Sequence, residues 1–229
     1  MSEAAVRPRS ARGKGAELRG ELLRAAMDLL SETGEEDAVS LRAVAQRVGV
    51  SVPSIYLHFA DKQALLDAVC EEVFAALDAQ MQAAAVEGTD VFDALRLQGI
   101  AYVHFAIANP EHYRIVLMRK HESPSNGDPA DLMMATGAFA HFVASVQDCV
   151  DAGVLEGDAR QLALQLWAAA HGVAALLVAK PYFPWPSLDD YIEQVVRMAG
   201  MGIAATSRLG ECGELPLPEL ITRLNSLRT

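Results

Sequence analysis

Cysteine is scarce in this chain. Only Cys70, Cys149 and Cys212 occur among 229 residues, far apart and without C-x-x-C spacing. An odd, scattered set argues against a disulfide framework or a zinc site. It suits free thiols in a reducing cytoplasm, with a redox role left open for Cys149 or Cys212. Aromatic residues are also few, at 6%, while 52% of the chain is apolar and rich in Ala and Leu. That balance fits a helical globular protein and excludes a disordered one. No unbroken apolar run approaches the roughly 18 residues that cross a bilayer. The polar, basic start has no apolar h-region behind it, so neither a signal peptide nor a membrane partner is expected. Catalytic signatures are missing as well. There is no H-E-x-x-H and no G-x-S-x-G, and Gly13-Lys14-Gly15 does not lie between a strand and a helix as a phosphate loop would. Histidines and carboxylates are present without an organising spacing. No enzyme, metal site or cofactor is therefore expected.

Positive charge is in short supply overall: 19 Lys/Arg stand against 30 Asp/Glu, for a net charge of −11. The deficit is uneven. Residues 1–62 hold nine of each sign, leaving ten basic and twenty-one acidic residues for 63–229. Arg7, Arg9, Arg12, Lys14, Arg19 and Arg24 lead the chain. A basic leading segment can meet an anionic polymer such as DNA, while an acidic body limits indiscriminate adhesion.

The apolar spacing is helical almost throughout, with no convincing strand and no repeat. Residues 1–15 read as a flexible basic arm. A helix follows over 16–33, ended by Gly34 in a left-handed cap. Ser40 can cap a short second helix with Leu41, Val44, Ala45 and Val48 on its apolar face. Gly49 supplies a turn. Ser51 can cap a third helix over 51–59, anchored by Ile55 and Phe59 and tolerant of Pro53 in its first turn. Asp61 opens a linking helix, 61–85, with Leu65, Val69, Val73, Leu77 and Met81 on one face. Further helices are expected over 89–108, 111–120, 129–151, 158–179, 187–208 and 217–226, with the clearest loop at 121–129.

Residues 40–62, SLRAVAQRVGVSVPSIYLHFADK, read as a helix-turn-helix and the start of another helix. That geometry lays one helix in a DNA major groove. With Ile55 and Phe59 buried, Val52, Ser54, Tyr56 and His58 face outward. The hydroxyls and the histidine ring can bond phosphate oxygens. Lys62 adds its charge to the positive end of the next helix. The third helix lacks Arg, Lys, Asn and Gln, the side chains that pair bidentately with guanine and adenine. Base reading would rest on Val52, Pro53 and Ser54 against thymine methyls, on Arg42 from the second helix, and on arm arginines in the minor groove. The bland alternative is a three-helix core with an exposed Tyr and His.

The pattern S-L-R-A-V-A-x-x-V-G-V-S-x-x-S-I-Y-x-H-F-x-x-K-x-x-L-L resembles the tetracycline-repressor (TetR) family of transcription regulators. The likeness takes in the preceding helix, AELRGELLRAAMDLLSETG, and covers roughly residues 16–70. It implies an all-α homodimer. A three-helix helix-turn-helix domain over 16–62 would be joined to a larger ligand-binding and dimerisation domain over 88–229. It further implies phosphate contacts at Tyr56, His58 and Lys62 and contacts near Arg42, Val52, Pro53 and Ser54. The second half is similar to the family's WHG-type C-terminal domain through YVHFAIANPEHYRIVL (102–117) and WAAAHG (167–172). It departs from that pattern at His104, where relatives often carry a basic residue.

The resemblance places an effector cavity among the helices of 88–180. The residue types suited to it are Tyr102, Phe105, Met118, Met133, Met134, His141, Phe142, Trp167 and His171, although such residues at helical spacing often form ordinary core. His104, His141 and His171 fall on different helices. Each can be a core histidine bonded to a backbone carbonyl, an effector contact or, least readily, a metal ligand. The stripes Leu162, Leu166, Ala169, Val173, Leu176 and Ile192, Val195, Val196, Ala199, Ile203 could be core. The resemblance instead places them in a four-helix dimer interface, with Ala199-Gly200 allowing close approach. The expected protein is a cytoplasmic, ligand-responsive repressor that binds double-stranded operator DNA as a homodimer and is released by a hydrophobic or amphipathic small molecule. The alternative is an effector-independent DNA-binding protein controlled by a protein partner.

Overall fold

Ser40, Asp61 and Asp158 set the helix starts of this fold. In the computed structural model, which describes residues 14–117, 137–208 and 216–226, each accepts a bond from a backbone N–H three residues on. Ala43 donates to Ser40 Oγ at 3.1 Å, Ala64 to Asp61 Oδ1 at 2.8 Å and Gln161 to Asp158 Oδ1 at 2.8 Å. Such caps satisfy donors that a helix start otherwise leaves free. The helices are α1 (Lys14–Thr33), α2 (Leu41–Val48), α3 (Val52–Ile55), α4 (Lys62–Val86), α5 (Val91–Ala108), α6 (Pro110–Leu117), α7 (Gly137–Asp151), α8 (Ala159–Ala179), α9 (Leu188–Arg208) and α10 (Leu217–Ser226). A 3-10 turn, Glu36–Ala38, precedes α2, and no strand occurs among the described residues. The fold is all-α.

The differences from expectation are local. Helix α1 begins at Lys14, inside the stretch expected as an arm; residues 1–13 lie outside the described residues. Helix α3 is shorter than the expected 51–59. Its last carbonyl, on Ile55, accepts from both His58 N–H at 2.8 Å and Phe59 N–H at 2.9 Å, which closes a turn in place of further helix. Ser51 stands at the cap position of α3, but its hydroxyl bonds the Ser54 hydroxyl at 2.8 Å and not a backbone N–H. Asn109-Pro110 does end α5, and Pro110 itself opens α6, where its missing N–H costs nothing.

The chain forms two compact units. One comprises the described residues to Asp78 together with the described residues of Ala106–Ala138; the other comprises Ala79–Phe105 and the described residues from Phe139 onward. In the first, Leu22, Ala26, Leu30, Val39, Val44, Ile55, Phe59 and Leu65 are buried. Arg47 donates to Glu32 at 2.7 Å through Nη1 and pairs with it again through Nη2, tying α2 to α1. This guanidinium holds the Glu32 carboxyl below the usual carboxylate range. Arg19 lies 5.3 Å from the centre of the Phe59 ring. Helix α6 also packs on α1: His112 Nε2 is within 3.1 Å of Ser31 Oγ and 3.2 Å of the Met27 carbonyl, and Tyr113 is fully buried.

In the second unit, α8 packs against α9. By length and composition alone α8 could cross a membrane. Its Gln161, Gln165 and His171 interrupt what would otherwise read as a continuous apolar run. Here Leu162, Ala163, Ala170, Val173, Ala174, Leu177 and Val178 are buried within the unit. Arg96 on α5 binds Asp93 at 2.7 Å and Glu193 of α9. Gly200 faces Phe92, whose Cζ would stand 3.2 Å from a β-carbon there, so the close approach it permits is within the chain. Of the stripes assigned to a dimer face, Leu162, Val173 and Ile192 are buried in their own unit. The apolar side chains left exposed on these helices include Leu164, Leu176, Met198 and Met201. The Cys149 thiol is buried, donates to the Val91 carbonyl at 3.3 Å and is pushed up to about 11 by desolvation and by Asp148 and Asp90. A thiol held protonated is a poor nucleophile; Cys212 lies outside the described residues.

Candidate functional site

Two short helices and one glycine shape the outward surface of the first unit. Gly49 ends α2 with φ of +75°, and its N–H bonds the Ala45 carbonyl at 2.9 Å. A side chain in this left-handed conformation costs about 1–2 kcal/mol, so glycine sets the angle between α2 and α3. Ile55 and Phe59 are buried beneath, as their spacing predicts. Above them Arg42 and Pro53 are exposed, and Val52, Ser54 and His58 are half-buried. Tyr56 is 56% exposed. Leu57, which sequence reasoning passed over, is 83% exposed. Only its position in the turn after α3 could have flagged it, since a leucine ordinarily reads as core.

Lys62 opens α4, one residue after its capping Asp61. Its Nζ stands 3.4 Å from Asp37, a fully exposed carboxylate. Such surface pairs contribute little, so the ammonium can exchange Asp37 for a phosphate at small cost. All seven residues proposed for DNA thus lie in the α2–α4 segment of the first unit, and none of them is buried. The arm arginines before Lys14 lie outside the described residues.

In the second unit the structure joins Tyr102, Trp167, His171 and Phe142. The Trp167 indole N–H donates to the Tyr102 hydroxyl at 3.2 Å, and that hydroxyl lies 2.9 Å from His171 Nδ1. With its oxygen accepting from the indole, the phenol is placed to give its proton to His171. Burial holds the imidazole below its usual range and so favours the neutral, accepting ring. The Tyr102 phenol is thus one partner of His171, beside the backbone carbonyl and effector contact that sequence reasoning considered for such a histidine. Phe139, which was not foreseen, links Trp167 edge-on at 6.2 Å to Phe142 at 6.4 Å. Phe105 is buried on α5 and His141 is exposed on α7. Met118, Met133 and Met134 lie outside the described residues. His104 sits 3.6 Å from Asp189 at the start of α9, on a half-exposed surface.

Residues 22–69 match the family model for bacterial regulatory proteins of the tetR family, and residues 95–199 match that for the tetracyclin repressor-like C-terminal domain. The class A tetracycline repressor from transposon 1721 of Escherichia coli is 48% identical over 54 residues, which are 24% of either chain. The chain therefore spans about a quarter of the length of the curated repressors it matches. A protein of unknown function from Rhodococcus sp. RHA1 is similar in structure with a TM-score of 0.70 and 31% identity, covering 82% of this chain and 95% of that one. A TetR-family transcription regulator from Marinobacter aquaeolei VT8 shares the fold at a TM-score of 0.65 and 18% identity, covering 84% and 98%. With a helix-turn-helix on one unit and family matches across both, the chain belongs to the tetracycline-repressor (TetR) family of DNA-binding transcription regulators.

Proposed function

We propose that the protein is a cytoplasmic repressor that binds a palindromic operator as a homodimer and is released by a small apolar or amphipathic effector. The observation that carries the DNA half is the array formed by α2, the Gly49 turn and α3, with Tyr56 and Lys62 standing outward over a core sealed by Ile55 and Phe59. Tyr56, His58 and Lys62 hold phosphates, while Arg42, Val52, Pro53 and Ser54 meet base edges. The heads must recur about 34–36 Å apart to read two half-sites on one face of a duplex, which a homodimer supplies. Leu164 and Leu176 on α8 and Met198 and Met201 on α9 offer apolar surface for that pairing.

The effector half rests on the Tyr102–Trp167–His171 network and its Phe139 and Phe142 neighbours. An apolar wall with a few placed polar groups is the usual make-up of a small-molecule site. The effector favours a dimer whose heads are wrongly spaced for the operator, so operator and effector weaken each other's binding reciprocally.

Binding of labelled operator across a salt series tests the DNA contacts. Lys62→Ala is expected to lose about tenfold in affinity, as for a charged hydrogen bond, and to flatten the salt slope by roughly one unit. Tyr56→Phe is expected to weaken all sequences alike with the slope kept. Affinity unchanged at every salt concentration would remove both residues from the interface.

A further inference from the structure

One buried polar atom in the second unit has no partner among the described residues. Gln98 on α5 is 1% exposed. Its amide Nε2 donates to the Ser145 hydroxyl at 2.9 Å, while Oε1 accepts no bond. Ser145 decides which end of the amide is which. Its single hydroxyl proton goes to the His141 carbonyl at 3.2 Å. Towards Gln98 the hydroxyl can then only accept, so the amide must turn its NH2 to Ser145 and its carbonyl away. A buried carbonyl left without a donor is destabilising, and native proteins rarely keep one without a purpose.

The surroundings indicate the purpose. Gln98 and Tyr102 are one turn apart on α5, and Phe142 and Ser145 are one turn apart on α7. On α7 Phe142 meets Phe139, Phe139 meets Trp167 on α8, and Trp167 bonds Tyr102. These contacts reach α5 one turn from Gln98. Within this group Tyr102, Trp167 and His171 bond one another, which leaves the carbonyl of Gln98 as the acceptor over. The group contains no cation, and Arg96, on the same helix, is held by Asp93 and Glu193.

We propose that Gln98 Oε1 is the polar anchor of the effector site. It accepts a hydrogen bond from a neutral donor, a hydroxyl or amide N–H, on a molecule whose apolar body lies against Phe139, Phe142 and Trp167. The inference rests on the reading of this unit as the effector-binding one. A carboxylate has no proton to offer and would set its charge against the Gln98 carbonyl, so anionic ligands are disfavoured.

Calorimetric titration of the full chain at neutral pH with three matched probes tests this: 2-naphthol, 2-methoxynaphthalene and 2-naphthoate. The alcohol should bind about tenfold more tightly than the ether, the ratio a single buried hydrogen bond supplies, and the carboxylate should bind most weakly. In Gln98→Leu the gap between alcohol and ether should close, while thermal unfolding shows a folded protein of equal or higher midpoint. Gln98→Met repeats the measurement with an unbranched chain if the leucine variant is unstable. Equal binding of alcohol and ether in the unaltered protein, or a gap that survives in the variants, would overturn Gln98 as the anchor and leave the effector site standing, its carbonyl holding only water. Silence with all three probes would count against both the anchor and the effector site itself.

Discussion

Lys62 and Asp37 show how a single exposed ion pair can tune binding to a polyanion. Their charges stand 3.4 Å apart in water, where screening leaves little net attraction. The pair nevertheless sets a negative charge beside the ammonium that should meet a phosphate. Asp37→Asn is therefore expected to tighten operator binding by about two- to fivefold at low salt, with the gain fading as salt rises. A fluorescence anisotropy titration at two ionic strengths reads both effects; a weaker complex would show that Asp37 helps to position Lys62 and does not compete with DNA. At this scale the sequence was informative where chemistry is local. Ser40, Asp61 and Gly49 act as their residue types suggest, because caps and left-handed turns depend on the nearest few residues. Gln98 and Phe139 were not foreseen, since their meaning comes from Ser145 and Trp167 on other helices.

Helices were readable in position but not always in length. The apolar face of α4 holds from Leu65 to Met81 as spacing predicts, because each of its members is buried. Helix α3 is shorter than its apolar anchors imply, because bonds from His58 and Phe59 to the Ile55 carbonyl close the turn. No periodicity reports such a closure. The stripes on α8 and α9 mixed residues buried in their own unit with residues left outside, and sequence cannot separate two partners for one face. The α2–α3 angle depends on Gly49, whose φ of +75° strains any other residue. Gly49→Ala is expected to lower stability by about 1–2 kcal/mol, seen as a lower unfolding midpoint, with operator affinity reduced beyond that loss because Tyr56 and Lys62 shift together. Unaltered stability and affinity would mean that the turn relaxes without moving α3.

At the scale of the whole molecule, charge and apolar surface divide the labour. The acidic excess lies beyond residue 62, while residues 1–62 carry basic and acidic groups in equal number. A neutral first segment beside an acidic remainder suits the proposed binding to DNA, since only the remainder would repel phosphates. The family and its all-α architecture could be read from residues 40–66 because the helix-turn-helix packs a dense set of constraints into one short stretch. The membership of α6 in the first unit could not, because it depends on α6 meeting α1 through His112, Ser31 and Met27. The most direct measurement is the mass of the complex between the purified chain and a duplex from its own promoter region, taken by sedimentation at several salt concentrations. Two protomers per duplex, with affinity falling steeply as salt rises, is the predicted result. A monomer that leaves every such duplex unbound would contradict the account.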